Sequence, residues 1–221
     1  MRTALVAGAT GLVGGHCLRL LLADPSYSQV TALVRRAIEL KHPKLKQVVV
    51  DFDRFDSVSA EIAADDIFSA LGTTTAATKD RDRYYKIDVM FPAQIAAIGK
   101  ANGTRQVLMV SSLGADPKSG QWYMKTKGEA EAKVAQVGIQ SVHFFRPSFI
   151  AGRLEDQRLR ETLALSTMRF CSFLFLANAR RFLPLQAEII AQAMIAVAHQ
   201  AEPGRHTYNR IDMLNILGLK P

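Results

Sequence analysis

Tyr123 and Lys127 stand four positions apart in the run Trp122-Tyr123-Met124-Lys125-Thr126-Lys127. On a helix that spacing sets both side chains on one face, one turn apart. An ammonium beside a phenol stabilises the phenolate and draws the tyrosine pKa from about 10 towards neutrality. A tyrosine tuned in this way exchanges a proton with a carbonyl or an alcohol.

A second chemical signature lies near the start of the chain, in Val6-Ala7-Gly8-Ala9-Thr10-Gly11-Leu12-Val13-Gly14-Gly15. The apolar run from Thr3 to Ala7 predicts a buried strand, and Leu12, Cys17, Leu18, Leu21 and Leu22 give the next segment a helical stripe. Between them stand Gly8, Gly11 and Gly14. One glycine permits the tight turn, one lets the backbone approach a pyrophosphate, and one lets helix and strand pack closely. The free N–H groups and positive end of a helix starting near Thr10, Leu12 and Val13 then face phosphates.

The elements that must position these groups alternate along the chain. Val30 to Val34 predicts a second strand, with Arg35 and Arg36 at its end. A dinucleotide domain chooses its cofactor there: an acid would accept from the ribose hydroxyls, whereas arginine pairs with a 2′-phosphate. Two arginines and no acid favour NADP(H), with Arg35 ahead of Arg36 and NAD(H) as the alternative. Leu45–Val50 and Asp66–Leu71 are further strands. The second leads into Gly72-Thr73, where glycine permits close approach to a cofactor and threonine can bond phosphate or ribose.

Residues 54–64 predict a weak helix, residues 76–86 a charged loop, and 88–100 a helix ended by Asn102-Gly103. Gln106–Val110 and Gln140–Phe145 are strands on either side of the Tyr123 helix. His143 lies mid-strand among apolar residues and is expected in the core or on a sheet face. Residues 185–200 predict a final amphipathic helix, and Arg205 to Tyr208 a strand-like tail. The alternation predicts an α/β fold: a doubly wound parallel sheet, three layers deep, with ligand at the carboxyl ends of its strands.

A chain of 221 residues suits one such domain with a full core. Residues 153–183 are then a small helical substrate lobe. The apolar run 162–176, broken by Arg169, is too short to span a bilayer and suits a pocket lining or a homodimer contact. Two cysteines, Cys17 and Cys171, argue against a disulfide framework. With a strand beginning almost at once, the default location is cytoplasmic. The net charge of +8 is scattered, with no basic block and no aromatic interleaving, which favours anionic small molecules over nucleic acid. No His/Cys cluster has metal-ligand spacing.

The set Gly8–Gly14, Arg35, Asp51-Phe52, Gly72, Ser111-Ser112, Tyr123/Lys127 and Pro147 resembles, in content and order, the extended and atypical short-chain dehydrogenases/reductases. That superfamily reads Thr-Gly-x-x-Gly-x-x-Gly; Thr10-Gly11-x-x-Gly14 matches, and the third glycine is offset because Gly14 closes a pattern begun at Gly8. Local matches at Gly72-Thr73-Thr74, Ser111-Ser112-x-Gly114-Ala115-Asp116, Lys127-Gly128-Glu129 and Phe145-Arg146-Pro147 are similar to the atypical members related to the Tat-interacting protein.

The resemblance implies a Rossmann fold and reduction of a small carbonyl compound, with three catalytic residues. Ser112 orients the carbonyl, Tyr123 gives the proton, and Lys127 tunes Tyr123 and holds the nicotinamide ribose. Asp51 and Phe52 then meet the adenine, Leu71 and Ser111 border the cofactor, and Pro147 and Ser148 lie by the nicotinamide. Asp88 departs from the pattern, since related dehydrogenases often carry asparagine there. The alternatives are an NADPH-binding redox sensor and an epimerase-like enzyme.

Overall fold

The computed structural model describes residues 1–151 and 179–220. Its centre is strand β1 (Arg2–Ala7), apolar on both faces: Ala4 and Val6 pack to one side, Leu5 and Ala7 to the other. A strand covered on both faces reads as an unbroken apolar run, which is why Thr3 to Ala7 shows no alternation.

Around it lie β2 (Tyr27–Val34), β3 (Leu45–Val49), β4 (Asp66–Ser69), β5 (Gln106–Val110), β6 (Ser141–Phe145) and, late in the chain, a strand Gly204–Tyr208. They form one seven-stranded sheet in the order β3-β2-β1-β4-β5-β6 and then the late strand. Every pairing in it is parallel. The order reverses between β1 and β4, so the crevice above their carboxyl ends is the place such sheets hold ligands.

Helix α1 (Leu12–Ala23) covers one face of this sheet, together with later helices at Ala187–Gln200 and Arg210–Ile216. The other face is covered between residues 81 and 136. There α2 (Arg81–Tyr85), a wider π-type turn (Lys86–Met90) and α3 (Phe91–Ala101) run on continuously, and α4 (Trp122–Gln136) follows β5. The expected three-layer Rossmann arrangement is the fold of the chain.

Three local expectations change. The charged stretch 76–86 is not wholly loop: Asp80 caps α2, its side chain accepting from the backbone N–H groups of Asp82 (2.9 Å) and Arg83 (3.4 Å). That cap stabilises a helix start that charge density alone disguised. The helix expected from Asp88 therefore begins earlier, and widens just ahead of Pro92, which has no N–H to give the carbonyl four residues back. Leu185–Gln186 belongs to a two-stranded parallel pair with Ile150–Ala151, so the late helix starts at Ala187.

The proposed substrate lobe, 153–183, falls mostly outside the described residues, as do the apolar run 162–176 and Cys171; its described end holds a 3-10 turn, Ala179–Phe182. Among the described residues no helix is long and apolar enough to cross a membrane. At the amino ends of the strands, buried Asp66 accepts from the Tyr27 hydroxyl (2.7 Å) and the Gln106 amide (3.0 Å) and pairs with Arg2. His143 is fully buried, its Nδ1 lying 3.1 Å from the Tyr208 hydroxyl and its ring stacked on His206.

Candidate functional site

Each glycine of the first turn does something different. Gly8 sits at φ +86°, where a side chain is strained, and a Cβ there would meet the backbone of Ala70 at the end of β4. Gly11 donates its N–H to the Gly8 carbonyl at 2.9 Å and stands exposed at the mouth of the turn. Gly14 is buried, and a Cβ on it would run into the Gly8 carbonyl. Gly8 and Gly11 shape the opening, and Gly14 lets α1 pack against the turn.

Above the β1/β4 switch lies a cavity of about 420 Å³. Of the sequence candidates, Gly8, Thr10, Gly11, Arg35, Phe52, Leu71, Gly72 and Thr73 line it. Leu12 and Val13 open α1 behind the turn, and the Val13 side chain is in the core, so what it can offer a ligand is backbone. Arg36 and Asp51 are exposed near the rim but outside the lining; the Asp51 carboxylate accepts from Asp53 N–H at 3.1 Å.

The charged loop 76–86, which could have covered a pocket or been merely solvated, supplies Ala77, Thr78 and Arg83 to the wall. Ile87 and Phe91, which the sequence reading did not single out, follow Arg83 at four-residue spacing through α2, the π-type turn and α3. Their helical spacing and the Asp80 cap were the signals available. The cradle, with Gly8 at a φ that other residues rarely adopt and Arg35 in the wall, fits a dinucleotide.

The second cluster stands behind Gly72: Ser111, Ser112, Tyr123, Lys127, Pro147 and Ser148 are all outside the lining of this cavity. Tyr123 and Lys127 occupy successive turns of α4, with the Lys127 ammonium 6.0 Å from the Tyr123 ring centre. Tyr123 is 38% exposed, whereas Lys127 is buried. Lys127 pairs with the buried Asp88 carboxylate, whose other oxygen accepts from the Thr73 backbone N–H at 2.9 Å. Burial alone would lower the Lys127 pKa; the negative charge of Asp88, with smaller effects from Tyr123 and Glu131, outweighs it and holds the ammonium above its ordinary value.

Lys127 Nζ and Asp88 Oδ1 each lie 3.6 Å from the point a Cβ on Gly72 would occupy, so this pair backs directly onto the cavity lining. Gly128 makes the approach of α4 feasible, because a Cβ there would strike the backbone of Asp116 and Pro117.

Ser111 and Ser112 follow β5 and are both buried. The Ser112 hydroxyl donates to the Leu113 carbonyl at 3.4 Å, and the Ser111 hydroxyl has no partner among the described residues. Ser111 N–H donates to Phe145 O (2.7 Å) and Leu113 N–H to Pro147 O (2.9 Å), so the serine turn and Pro147 are laced together. Ser148 donates to the Leu183 carbonyl at 2.8 Å.

A parallel sheet with a glycine-turn cavity at its switch point, flanked by the helix that carries Tyr123 and Lys127, defines a Rossmann-type nucleotide-binding domain. The chain belongs to the NAD(P)H-binding family, which matches residues 8–150.

Among its relatives, the Saccharomyces cerevisiae protein named "Protein FMP52, mitochondrial" is 38% identical over 159 residues, covering 70% of this chain and 68% of that one. An Aspergillus clavatus protein of the same name is 31% identical over 211 residues, 92% and 90% of the two chains. "Protein HTATIP2" of Rattus norvegicus is 30% identical over 167 residues, 74% and 69%.

Solved structures share the fold. One is a short-chain dehydrogenase/reductase superfamily protein from Agrobacterium tumefaciens with bound NAD (TM-score 0.69, 14% identity, 98% of this chain and 81% of that one). Another is a UDP-galactose 4-epimerase (TM-score 0.67, 16% identity, 99% and 84%).

The cytoplasmic expectation is corrected by the FMP52 relatives, which are named mitochondrial. Scarce cysteine marks a reducing interior, and the cytoplasm is only one such compartment.

Proposed function

We propose that this chain is an NADP(H)-dependent oxidoreductase that reduces a small carbonyl compound with Ser112, Tyr123 and Lys127. The observation that carries this reading is the junction at Gly72, where the Lys127–Asp88 pair lies against the lining of the nucleotide cavity while Tyr123 stands half-exposed one turn away. When bound, the reduced nicotinamide supplies the hydride that the carbonyl carbon accepts.

The chain's own residues then manage the oxygen. The Ser112 hydroxyl turns from its long contact with Leu113 to hold the carbonyl oxygen, which costs little at 3.4 Å. Tyr123 passes its phenolic proton to that oxygen as an alcohol forms, and its exposure lets solvent return the proton. Lys127, kept charged by Asp88, stabilises the tyrosinate left behind. Arg35 has no ion-pair partner among the described residues and is free to take a 2′-phosphate, which favours NADP(H) over NAD(H).

The test is NADPH oxidation against a panel of aldehydes, ketones and quinones, with wild type and Tyr123→Phe side by side. Tyr123→Phe keeps the ring and removes the proton, so turnover should fall about a hundred- to ten-thousandfold while NADPH affinity stays within twofold. Equal rates in the two proteins, or no turnover with any of the panel, would overturn the reading and leave an NADPH-binding regulatory module.

A further inference from the structure

Arg83 is the one arginine on the cavity wall that is already committed to another side chain. Its Nη1 lies 2.8 and 2.6 Å from the two carboxylate oxygens of Asp53, which also draws Lys86 to 3.8 Å. Its guanidinium carbon sits 5.5 Å from the centre of the Phe91 ring. Phe52 and Phe91 pack together at 5.6 Å between ring centres, and both line the cavity with Ile87 and Arg83.

This end of the cavity is therefore walled by rings and aliphatic carbon, with one planar cation held over it. The other arginine on the wall, Arg35, stands at the end of β2 with no ion-pair partner among the described residues.

The two guanidiniums are suited to different work. A cation whose Nη1 is held by both oxygens of a carboxylate attracts a phosphate weakly, but the guanidinium face turned away from Phe91 remains available. A flat, partly neutralised guanidinium over an apolar slot matches the face of a heteroaromatic base. We infer that Arg83 is a specificity-determining residue for the adenine ring of the cofactor: it stacks on the base, Asp53 fixes its plane, and Arg35 alone takes the 2′-phosphate. The inference rests on the dinucleotide reading given above and adds to it a residue and a division of labour.

The two roles leave different signatures in binding. NADPH, NADH and reduced nicotinamide mononucleotide, which has no adenosine, are titrated into the full chain and its variants by nucleotide fluorescence. Arg83→Ala should weaken NADPH and NADH by the same factor, about five- to thirtyfold, and leave the mononucleotide unchanged. Arg35→Ala should weaken NADPH alone.

Asp53→Asn keeps the shape of the carboxylate but loosens the guanidinium, so both dinucleotides should weaken together by a smaller factor. It decides the matter should Arg83→Ala fail to fold. Loss confined to NADPH in either variant would make Arg83 a phosphate ligand and overturn the inference, as would unchanged affinity for both dinucleotides. If wild type binds no dinucleotide at all, the underlying reading fails too; if wild type binds both and only the Arg83 and Asp53 effects are missing, that reading stands without this inference.

Discussion

The ammonium of Lys127 and the carboxylate of Asp88 form a buried ion pair, joining α4 to the π-type turn ahead of α3, and the same carboxylate grips the backbone of Thr73. One side chain thus sets both the lysine of the Tyr/Lys pair and the loop that lines the cavity. Related dehydrogenases often carry asparagine at this place, and a neutral amide would not hold the ammonium's charge in the same way.

Removing one partner of a buried pair strands the other, so Asp88→Ala should cost about 3–5 kcal/mol of folding stability. Asp88→Asn, which can still accept from Thr73 N–H, should cost less. The double variant Asp88→Ala/Lys127→Met removes the stranded charge and should recover most of the loss. Urea denaturation of wild type, Asp88→Ala, Asp88→Asn, Lys127→Met and the double variant measures this; a double variant that loses the sum of the Asp88→Ala and Lys127→Met effects would show that the pair is not coupled.

The glycines of the first turn should separate by role. Gly14→Ala drives a methyl into the Gly8 carbonyl and should lower stability by about 1–3 kcal/mol, whatever is bound. Gly11→Ala, at a position that itself lines the cavity, meets that carbonyl at 3.3 Å, a contact a small shift relieves. It should melt near wild type and weaken NADPH binding. Calorimetric melting with a parallel NADPH titration checks both, and a Gly14→Ala protein as stable as wild type would refute the packing role.

Arg35→Ala should remove most of any preference for NADPH over NADH, since a charge-assisted contact to phosphate contributes on the order of 1.5–3 kcal/mol, about ten- to a hundredfold in affinity. Arg36, outside the lining, serves as the control, and Arg36→Ala should change the ratio less than threefold. Equal affinity of wild type for the two cofactors would end this assignment.

His143 gives the fold an acid-side weakness. Burial, helped by the neighbouring His206, lowers its pKa to about 4, against about 6.5 in an unfolded chain. Between those values the unfolded state binds the proton and the folded state does not, so stability rises with pH. The contribution is whole above about pH 6.5, falls away as pH drops towards 4, and amounts to something on the order of 3 kcal/mol. His143→Gln should flatten the stability profile across that window in denaturation series at several pH values. A slope unchanged by the substitution would assign the acid sensitivity to other groups.

The sequence alone determined what depends on neighbours in the chain. Alternating buried strands and striped helices dictate a doubly wound sheet, because a strand apolar on both faces must be covered on both. The Gly8–Gly14 turn is legible for the same reason: strand, turn and helix lie within about twenty residues, and the backbone demands at Gly8 are local. Tyr123 and Lys127 share a face through helical spacing, whatever surrounds them.

Tertiary structure decided everything that needed two distant segments to meet. Asp88 is 39 residues from Lys127 and Asp53 is 30 from Arg83, and no local pattern announces either pair. The motif called for three different jobs among its glycines; the approach of α1 to the turn assigns the packing job to Gly14. The stretch around Arg83 read as a charged loop, free to cover a pocket or to be solvated, because charge is a local property. Its place on the wall of the cavity comes from the Asp80 cap and from the meeting of α2 with the segment after β3 that carries Asp53, a juxtaposition that exists only once the chain has folded.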